Sequence, residues 1–332
     1  MIRRILRYAL VVILLLAAFI FLNNTNLFVD RAAGTPVLAA HRGIAQRFDA
    51  AGIGRDTCTA TRIHPPTHTL LENTIPSMRA AFDAGADVIE LDVHPTTDGQ
   101  FAVFHDWTLD CRTNGTGVTR EHTMAELRRF DLGWGYTADG GKTFPLRGQG
   151  VGMMPTLDEV LAAFPGRRFA VNVKSNDPHE GELLAAYLGR LTPAQRSLLF
   201  MTGGDRPLEV LKRLMPEMKV MSRSTIAACG QDYIAYGWTG LMPGACRGTV
   251  VLIPVNVAPW LWGWPDRLLN RFESVGTEVF VTGPYDGGGS AGGLDIPDDL
   301  ARLPQGYSGG IWTDEIERVA RLVKGADGKD RR

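Results

Sequence analysis

The chain has 332 residues, 45% apolar and 21% charged, a composition ordinary for a globular protein and unlike a disordered or fibrous one. A formal net charge of −1 leaves no broad basic field for nucleic acid and no acidic tail, so any anion binding must be local. Length alone admits one large α/β domain or two smaller ones.

At the N-terminus, Arg3, Arg4 and Arg7 precede an uncharged apolar run over 8–22. Basic flanks stay cytoplasmic, which puts the rest of the chain on the exported side. The run is short against the ~20 residues of a spanning helix and also suits the apolar region of a signal peptide. No small-x-small cleavage site follows in Asn23-Asn24-Thr25-Asn26-Leu27-Phe28, which favours an uncleaved anchor. A buried core helix is the alternative, and the three arginines speak against it. The expected organisation is residues 1–35 as cytoplasmic basic residues, membrane anchor and linker, then an exported domain over 36–332 with an insertion at about 107–155.

The four cysteines, an even number in no zinc or CxxC spacing, fit an oxidising compartment. Four cysteines allow three pairings, and spacing alone does not choose among them. The favoured pair is Cys229 with Cys246, which bracket a short loop-rich segment; this leaves Cys58 with Cys111, in two different loops.

A buried strand is expected at 36–41, then a long loop over 44–71, a helix over 74–86 and a strand over 87–93. Asp98-Gly99 marks a tight hairpin. A second long insertion, 111–154, holds a small helix opened by Thr123 and Glu126, and Thr156 with Glu159 opens the next one; both are capping boxes. Further strands read at 168–175, 198–202, 219–223, 249–255, 278–282 and 309–313, with helices at 180–191, 207–214, 265–274 and 315–324. Apolar strands alternating with helices indicate a parallel sheet covered on both faces. Eight such units in about 300 residues fit a (β/α)8 TIM barrel with insertions after strands one and two; an open doubly wound sheet is the runner-up. The glycine-rich segment 287–293 lacks the Gly-Lys-Ser/Thr of a phosphate-binding loop and reads as a loop at the barrel mouth.

Polar residues gather where strands end. Glu90 and Asp92 are two apart, so both side chains take one face of a strand. Two bare carboxylates in a barrel mouth repel each other and are poorly solvated. One divalent metal ion, Ca²⁺ or Mg²⁺, resolves this, because both prefer oxygen ligands. Asn172 and Lys174 repeat the spacing with a carbonyl oxygen and a cation. A regular two-residue turn at Asp98-Gly99 would pair Thr97 with Gln100 and set His105 opposite Asp92, unless a bulge at Pro95 shifts the register. With His41 and Arg42 after the first strand, the set suits phosphodiester cleavage. The metal and cations stabilise phosphoryl charge, while one histidine takes a proton and the other gives one. Ordinary surface salt bridges would explain any one of these residues, but not six of them at the ends of three strands and a hairpin.

His41-Arg42-Gly43, Glu72-Asn73-Thr74, Glu90-Leu91-Asp92-Val93, Thr97-Asp98-Gly99 and His105-Asp106, in this order, resemble the signature of the glycerophosphodiester phosphodiesterase family. Thr156-Leu157-Asp158-Glu159 and Trp312-Thr313 resemble it too. The resemblance implies a TIM barrel, a divalent metal, and release of sn-glycerol 3-phosphate and an alcohol. It implies His41 and His105 as the acid–base pair. Arg42, Lys174 and Trp312 would bind phosphate or substrate, and Glu90, Asp92, Asn172 and Glu72 would form the metal shell. The family often carries a glutamate where this chain has Asn172, so one negative charge is missing while an oxygen donor remains. The expected partners are a small or lipid-derived phosphodiester and, through the N-terminal helix, a membrane; no nucleic acid is expected. Rival readings are hydrolysis of lysophospholipids or sphingomyelin on the same barrel, and a non-catalytic glycerophosphodiester-binding domain, which would need no acid–base pair. His64, His68, His94, His122 and His179 read as solvated or structural, and Trp260, Trp262 and Trp264 suit either lipid headgroups or the barrel rim.

Overall fold

The computed structural model describes residues 1–32, 34–50, 52, 57–287 and 292–326. Residues 288–291 of the glycine-rich segment lie outside them. The strands are β1 (Val37–His41), β2 (Val88–Pro95), β3 (Phe101–Val103), β4 (Arg168–Val173), β5 (Leu199–Gly203), β6 (Val220–Ser222), β7 (Val250–Pro254), β8 (Glu278–Thr282) and β9 (Gly310–Thr313). Their order is β6-β5-β4-β2-β1-β9-β8-β7, with β3 antiparallel on β2 outside this path. The two ends of the sheet meet at a parallel bridge, Val220 to Thr249, where the Thr249 hydroxyl also donates to the Val220 carbonyl. The result is a nearly closed eight-stranded parallel barrel wrapped by helices, as the alternation of elements predicts.

The period-2 alternation of each strand sorts its residues between two cores. Leu38, Ile89, Leu91, Phe169, Val171 and Ile311 point outward and pack under the helices. Ala39, Val88, Ala170, Phe200, Phe280 and Trp312 belong to the layer that fills the barrel interior. Two residues on from that layer, the same parity places His41, Glu90, Asn172 and Asp314 inward at the mouth, with Asp92 beyond Glu90. The barrel's plug is thus the floor of the site.

The insertion builds a satellite core of its own, including Leu71, Phe104, Leu109, Leu127, Tyr136 and Leu146. The helix Met124–Leu127 opens on the capping box of Thr123 and Glu126, and the helix Leu157–Ala163 on that of Thr156 and Glu159. Two local readings differ from the structure. The segment after β6, read as loop-rich, is a helix, Arg223–Tyr236, capped by Ser222 and Thr225. Only Cys229 and Tyr233 of that helix are buried, so its apolar stripe is too thin to announce itself. The hairpin is also shifted by one residue: Val93 pairs with Val103, and Phe104 donates to the Asp92 carbonyl. Thr96 closes on Gln100, with Gly99 in the left-handed region at φ 76°, so the turn has three residues rather than two. His105 is therefore not opposite Asp92 and reaches the site from the loop beyond β3.

Two disulfides are present, Cys58–Cys111 and Cys229–Cys246, separated by 53 and 17 residues. Cys229 sits on the helix Arg223–Tyr236 rather than in a loop. The N-terminal helix, Ile2–Asn24, has 23 residues and no buried side chain. At 1.5 Å per residue it spans roughly 35 Å, enough to cross the hydrocarbon core of a bilayer.

Candidate active site

The site begins with two strained turns. Arg42 and Asn73 both have positive φ, 60° and 59°, a rare state for residues with a Cβ. Backbone bonds hold them there: Arg42 donates to the Glu90 carbonyl at 2.9 Å, and Asn73 donates to the Arg42 carbonyl at 3.0 Å. Gly43 follows at φ 80°, and a Cβ there would meet Ser77 Oγ at 2.4 Å, so only glycine fits the turn. These turns aim Arg42 and Asn73 back at β2. Asn73 Nδ2 donates to Asp92 Oδ2 at 2.9 Å, and its Oδ1 accepts from the Asp92 amide at 3.1 Å.

Glu90 and Asp92 are buried. β4 pairs with β2 in the register Asp92 to Asn172, and Asn172 Nδ2 lies 3.0 Å from both Glu90 Oε1 and Asp92 Oδ1. Lys174 Nζ is 3.3 Å from Asp92 Oδ1, and Arg42 Nε is 3.3 Å from Asp92 Oδ2. Burial works against the Asp92 charge, but the Lys174 ammonium, His105 and Arg42 outweigh it and hold the carboxyl far below the usual carboxylate range. Burial and the Asp92 charge push Glu90 up to about 7. Glu90 Oε2 is buried and has no hydrogen-bond partner among the described residues. This orphaned oxygen, beside a second carboxylate and a side-chain amide that can turn its oxygen inward, fits a hard divalent cation. Among the described residues no three histidine, cysteine, aspartate or glutamate side chains form a ready metal cluster. Position 172 is an amide, and both oxygens of Glu72 are taken: Arg42 Nη1 lies 3.0 Å from Oε1, and Arg112 Nη1 2.9 Å from Oε2.

Each histidine is held at Nδ1 by an aspartate, which frees Nε2. His41 Nδ1 is 2.5 Å from Asp314 Oδ1, and its Nε2 is 3.8 Å from Glu90 Oε2. His105 Nδ1 is 2.6 Å from Asp106 Oδ1. Burial and Arg42 press the His41 pKa down, but Glu90 and Asp314 outweigh them and the net shift is upward. At His105, burial and Arg42 prevail and the shift is downward. Trp312 is buried with its ring 6.1 Å from that of His41 and 6.2 Å from Phe280, so it backs the first histidine.

A chain of alternating charges joins the two halves of the site. It runs from Asp92 through Arg42, Glu72 and Arg112 to Asp106 and His105. Arg112 is 3% exposed and also donates to Tyr136 Oη at 2.6 Å and Thr59 Oγ1 at 2.7 Å. Thr59 and Arg112 each adjoin one half of the Cys58–Cys111 disulfide. The crosslink therefore holds both ends of the bond that fixes Arg112. Loop entropy alone gives this 53-residue crosslink about 4 kcal/mol. Replacing both Cys58 and Cys111 by alanine should lower the melting temperature and also cut kcat more than replacing Cys229 and Cys246. Equal kcat in the two double variants would show that the first disulfide does not position the site.

A cleft of about 800 Å³ opens beside these residues, lined by His105, Asp106, Trp107, Asn172, Lys174 and Arg223 among others. His41 and His105 keep 30% and 21% side-chain exposure, so both remain reachable. His94, the next inward residue of β2, is buried against Trp107 with ring centroids 5.9 Å apart. Burial and Lys174 drop its pKa to about 4, so it is a neutral structural histidine. The sequence did not single out Asn73, Asp106, Arg112 or Asp314 as site residues. Asn73 and Asp106 stood inside the quoted motifs without a role, and Asp314 carried a signal too: it stands two residues beyond Trp312 on an inward-facing strand end.

Comparison with known proteins agrees with this geometry. A model of the glycerophosphoryl diester phosphodiesterase family matches residues 41–185. A glycerophosphodiester phosphodiesterase of Caldanaerobacter subterraneus subsp. tengcongensis is 39% identical over 258 residues, covering 76% of this chain and 92% of the relative. The glycerophosphoryl diester phosphodiesterase domain of an uncharacterised Mycobacterium tuberculosis protein superposes with a TM-score of 0.59 at 16% identity, covering 87% of this chain and 99% of that one. An Oleispira antarctica phosphodiesterase, solved with the product sn-glycerol-3-phosphate, gives 0.53 at 19% identity, with coverage of 89% and 98%. Near-complete coverage of a relative at 39% identity, the shared barrel and the matched motifs lead to one assignment: the chain belongs to the glycerophosphoryl diester phosphodiesterase family of enzymes.

Proposed function

We propose that this chain hydrolyses glycerophosphodiesters to sn-glycerol 3-phosphate and an alcohol, with one divalent cation, Ca²⁺ or Mg²⁺, at Glu90, Asp92 and Asn172. The observation that carries this reading is the pair of Nδ1-anchored histidines beside a buried carboxylate pair at the barrel mouth. When bound, the cation neutralises charge on the phosphoryl oxygens and helps orient the diester. Lys174 lines the cleft and adds a second positive charge beside it. Arg42 holds Asp92 and Glu72 in place and reaches phosphate only if it gives up part of that pairing. Glu72, saturated by two arginines, holds the site together rather than offering a free ligand oxygen.

Opposite pKa shifts divide the proton work. His41, raised by Glu90 and Asp314, is suited to carry the proton that the leaving alkoxide needs. Asp314 holds Nδ1 from outside the proposed ligand set of the cation. His105, lowered by burial, is suited to be neutral and to take a proton from the attacking water. Both aspartates fix the tautomer with Nε2 facing the substrate.

The test is a panel of glycerophosphodiesters and lysophospholipids, incubated with the chain with and without chelator. Cation-dependent release of sn-glycerol 3-phosphate is expected. Turnover of lysophospholipids or sphingomyelin alone would move the reading to a lipid phosphodiesterase, and binding without turnover to a binding domain.

A further inference from the structure

The N-terminal helix is clamped to the barrel rather than tethered loosely. A helix end leaves its last carbonyls without partners. Here arginines of the helix Asp266–Ser274 supply them: Arg271 Nη2 donates to the Asn23 carbonyl at 2.6 Å, and Arg267 Nε to the Thr25 carbonyl at 2.9 Å. Arg271 Nη1 also reaches Asn24 Oδ1 at 3.1 Å, and cations at a helix C-terminus complement its dipole. In return Asn23 and Asn24 donate to the Trp238 carbonyl at 3.1 and 2.9 Å, and Asn26 to that of Trp264 at 2.5 Å. Phe19 sets its ring edge-on to Trp238, with centroids 6.3 Å apart. The chain then passes Arg31, which bonds Ser308, Asn270 and Glu273. Trp238 lies in the connection into β7 and Ser308 in that into β9. Both belong to the end of the barrel opposite the mouth that holds His41, Glu90 and Asp92.

Around this foot the surface is apolar and exposed. Leu27, Phe28, Ile234, Tyr236 and Leu241 are each at least 60% exposed. Trp260, 86% exposed, belongs instead to the segment that leaves the mouth end of β7. Its companions are committed elsewhere: Trp262 Nε1 donates to the Ile234 carbonyl, and Trp264 stacks on Tyr307 with centroids 5.5 Å apart. The collar is continuous with a helix that is itself long and apolar enough to span a bilayer, with Arg3, Arg4 and Arg7 at its far end. Exposed aromatic and aliphatic side chains at that level match the water–hydrocarbon boundary.

We propose that this collar is a lipid-contact surface, and that the clamp fixes the barrel mouth away from the bilayer, so that the substrate is a water-soluble glycerophosphodiester rather than a membrane-embedded one. The substrate half rests on the hydrolytic reading above. Strands of five residues, tilted in the barrel, put the mouth roughly 10–13 Å above the base. Lifting an acyl chain out of the bilayer costs ~0.8 kcal/mol per CH₂, so a mouth held there meets only freely dissolved substrate.

The test uses the full chain in vesicles of phosphatidylethanolamine and phosphatidylglycerol. Spin labels go on single new cysteines at Leu241, Tyr236 or His179, the last exposed at the mouth end of the helix after β4. Labels at Leu241 and Tyr236 should be relaxed by oxygen and shielded from an aqueous nickel chelate, and the label at His179 should show the reverse. Equal aqueous exposure at all three, or lipid exposure at His179, would overturn the orientation. In the same vesicles, dissolved sn-glycero-3-phosphocholine should turn over at least ~10-fold faster than lysophosphatidylcholine in the bilayer. Equal or reversed rates would overturn the substrate assignment. Hydrolysis of neither, with the labels as expected, would sink the hydrolytic reading and support the orientation.

Discussion

Replacing His41 or His105 by alanine is expected to lower turnover by about 10²–10⁴-fold while the barrel still folds. Both rings stand above the apolar plug rather than within it, and neither fills the interior layer. Losing His105 leaves Asp106 paired with Arg112 at 3.0 Å, so no buried charge is stranded. Losing His41 leaves Asp314 accepting from the Gly293 amide at 2.9 Å. The two roles separate by pH. Asp314→Asn removes one of the groups holding the His41 pKa up, so the alkaline limb of kcat/KM should move to lower pH. His105 variants should lose the acid limb instead. Near wild-type turnover in either alanine variant, with the fold checked by circular dichroism, would remove that histidine from the mechanism.

Chelation is expected to abolish turnover, and Ca²⁺ or Mg²⁺ to restore it. The Glu90 carboxyl, at about 7 without a cation, sets how this depends on pH. A raised carboxyl pKa contributes stability that is present below its ordinary value of 4.5 and is lost as pH rises through about 7. A cation binds the deprotonated form, so the proton competes with it and affinity should weaken as pH falls through 7. His94 and His105 are shifted downward and titrate in the opposite sense, so the quantity to follow is the cation-dependent rise in melting temperature. That rise should be larger at pH 8 than at pH 5.5. Asn172→Glu supplies a third carboxylate and should tighten binding in isothermal titration. A cation-dependent rise that does not vary with pH would take Glu90 out of the shell, and unchanged affinity in the folded Asn172→Glu variant would do so for position 172.

The parity of the strands made much of this site legible in the sequence. Glu90 with Asp92, and Asn172 with Lys174, are spaced by two, and that spacing alone turns them inward beside one another. The barrel followed from continuous apolar strands alternating with helices. What stayed hidden depends on contacts that no local pattern encodes. Asp314 meets His41 across 273 residues, and Arg112 meets Glu72 across 40. Asn73 needs a left-handed backbone that only the neighbouring Arg42 turn explains. The hairpin register depended on one extra turn residue, and Asp98-Gly99 is compatible with either turn length. The helix Arg223–Tyr236 escaped because its buried stripe is two residues wide, yet it carries half of one disulfide.

Hydrolysis here should break the bond between phosphorus and the alcohol oxygen. Turnover of sn-glycero-3-phosphocholine in ¹⁸O-enriched water, followed by ³¹P NMR and mass spectrometry, tests it most directly. Cation-dependent release of unlabelled choline and of sn-glycerol 3-phosphate carrying ¹⁸O on phosphorus is expected. Release of glycerol and phosphocholine, label in the choline, or undiminished turnover in demonstrably metal-free protein would contradict it.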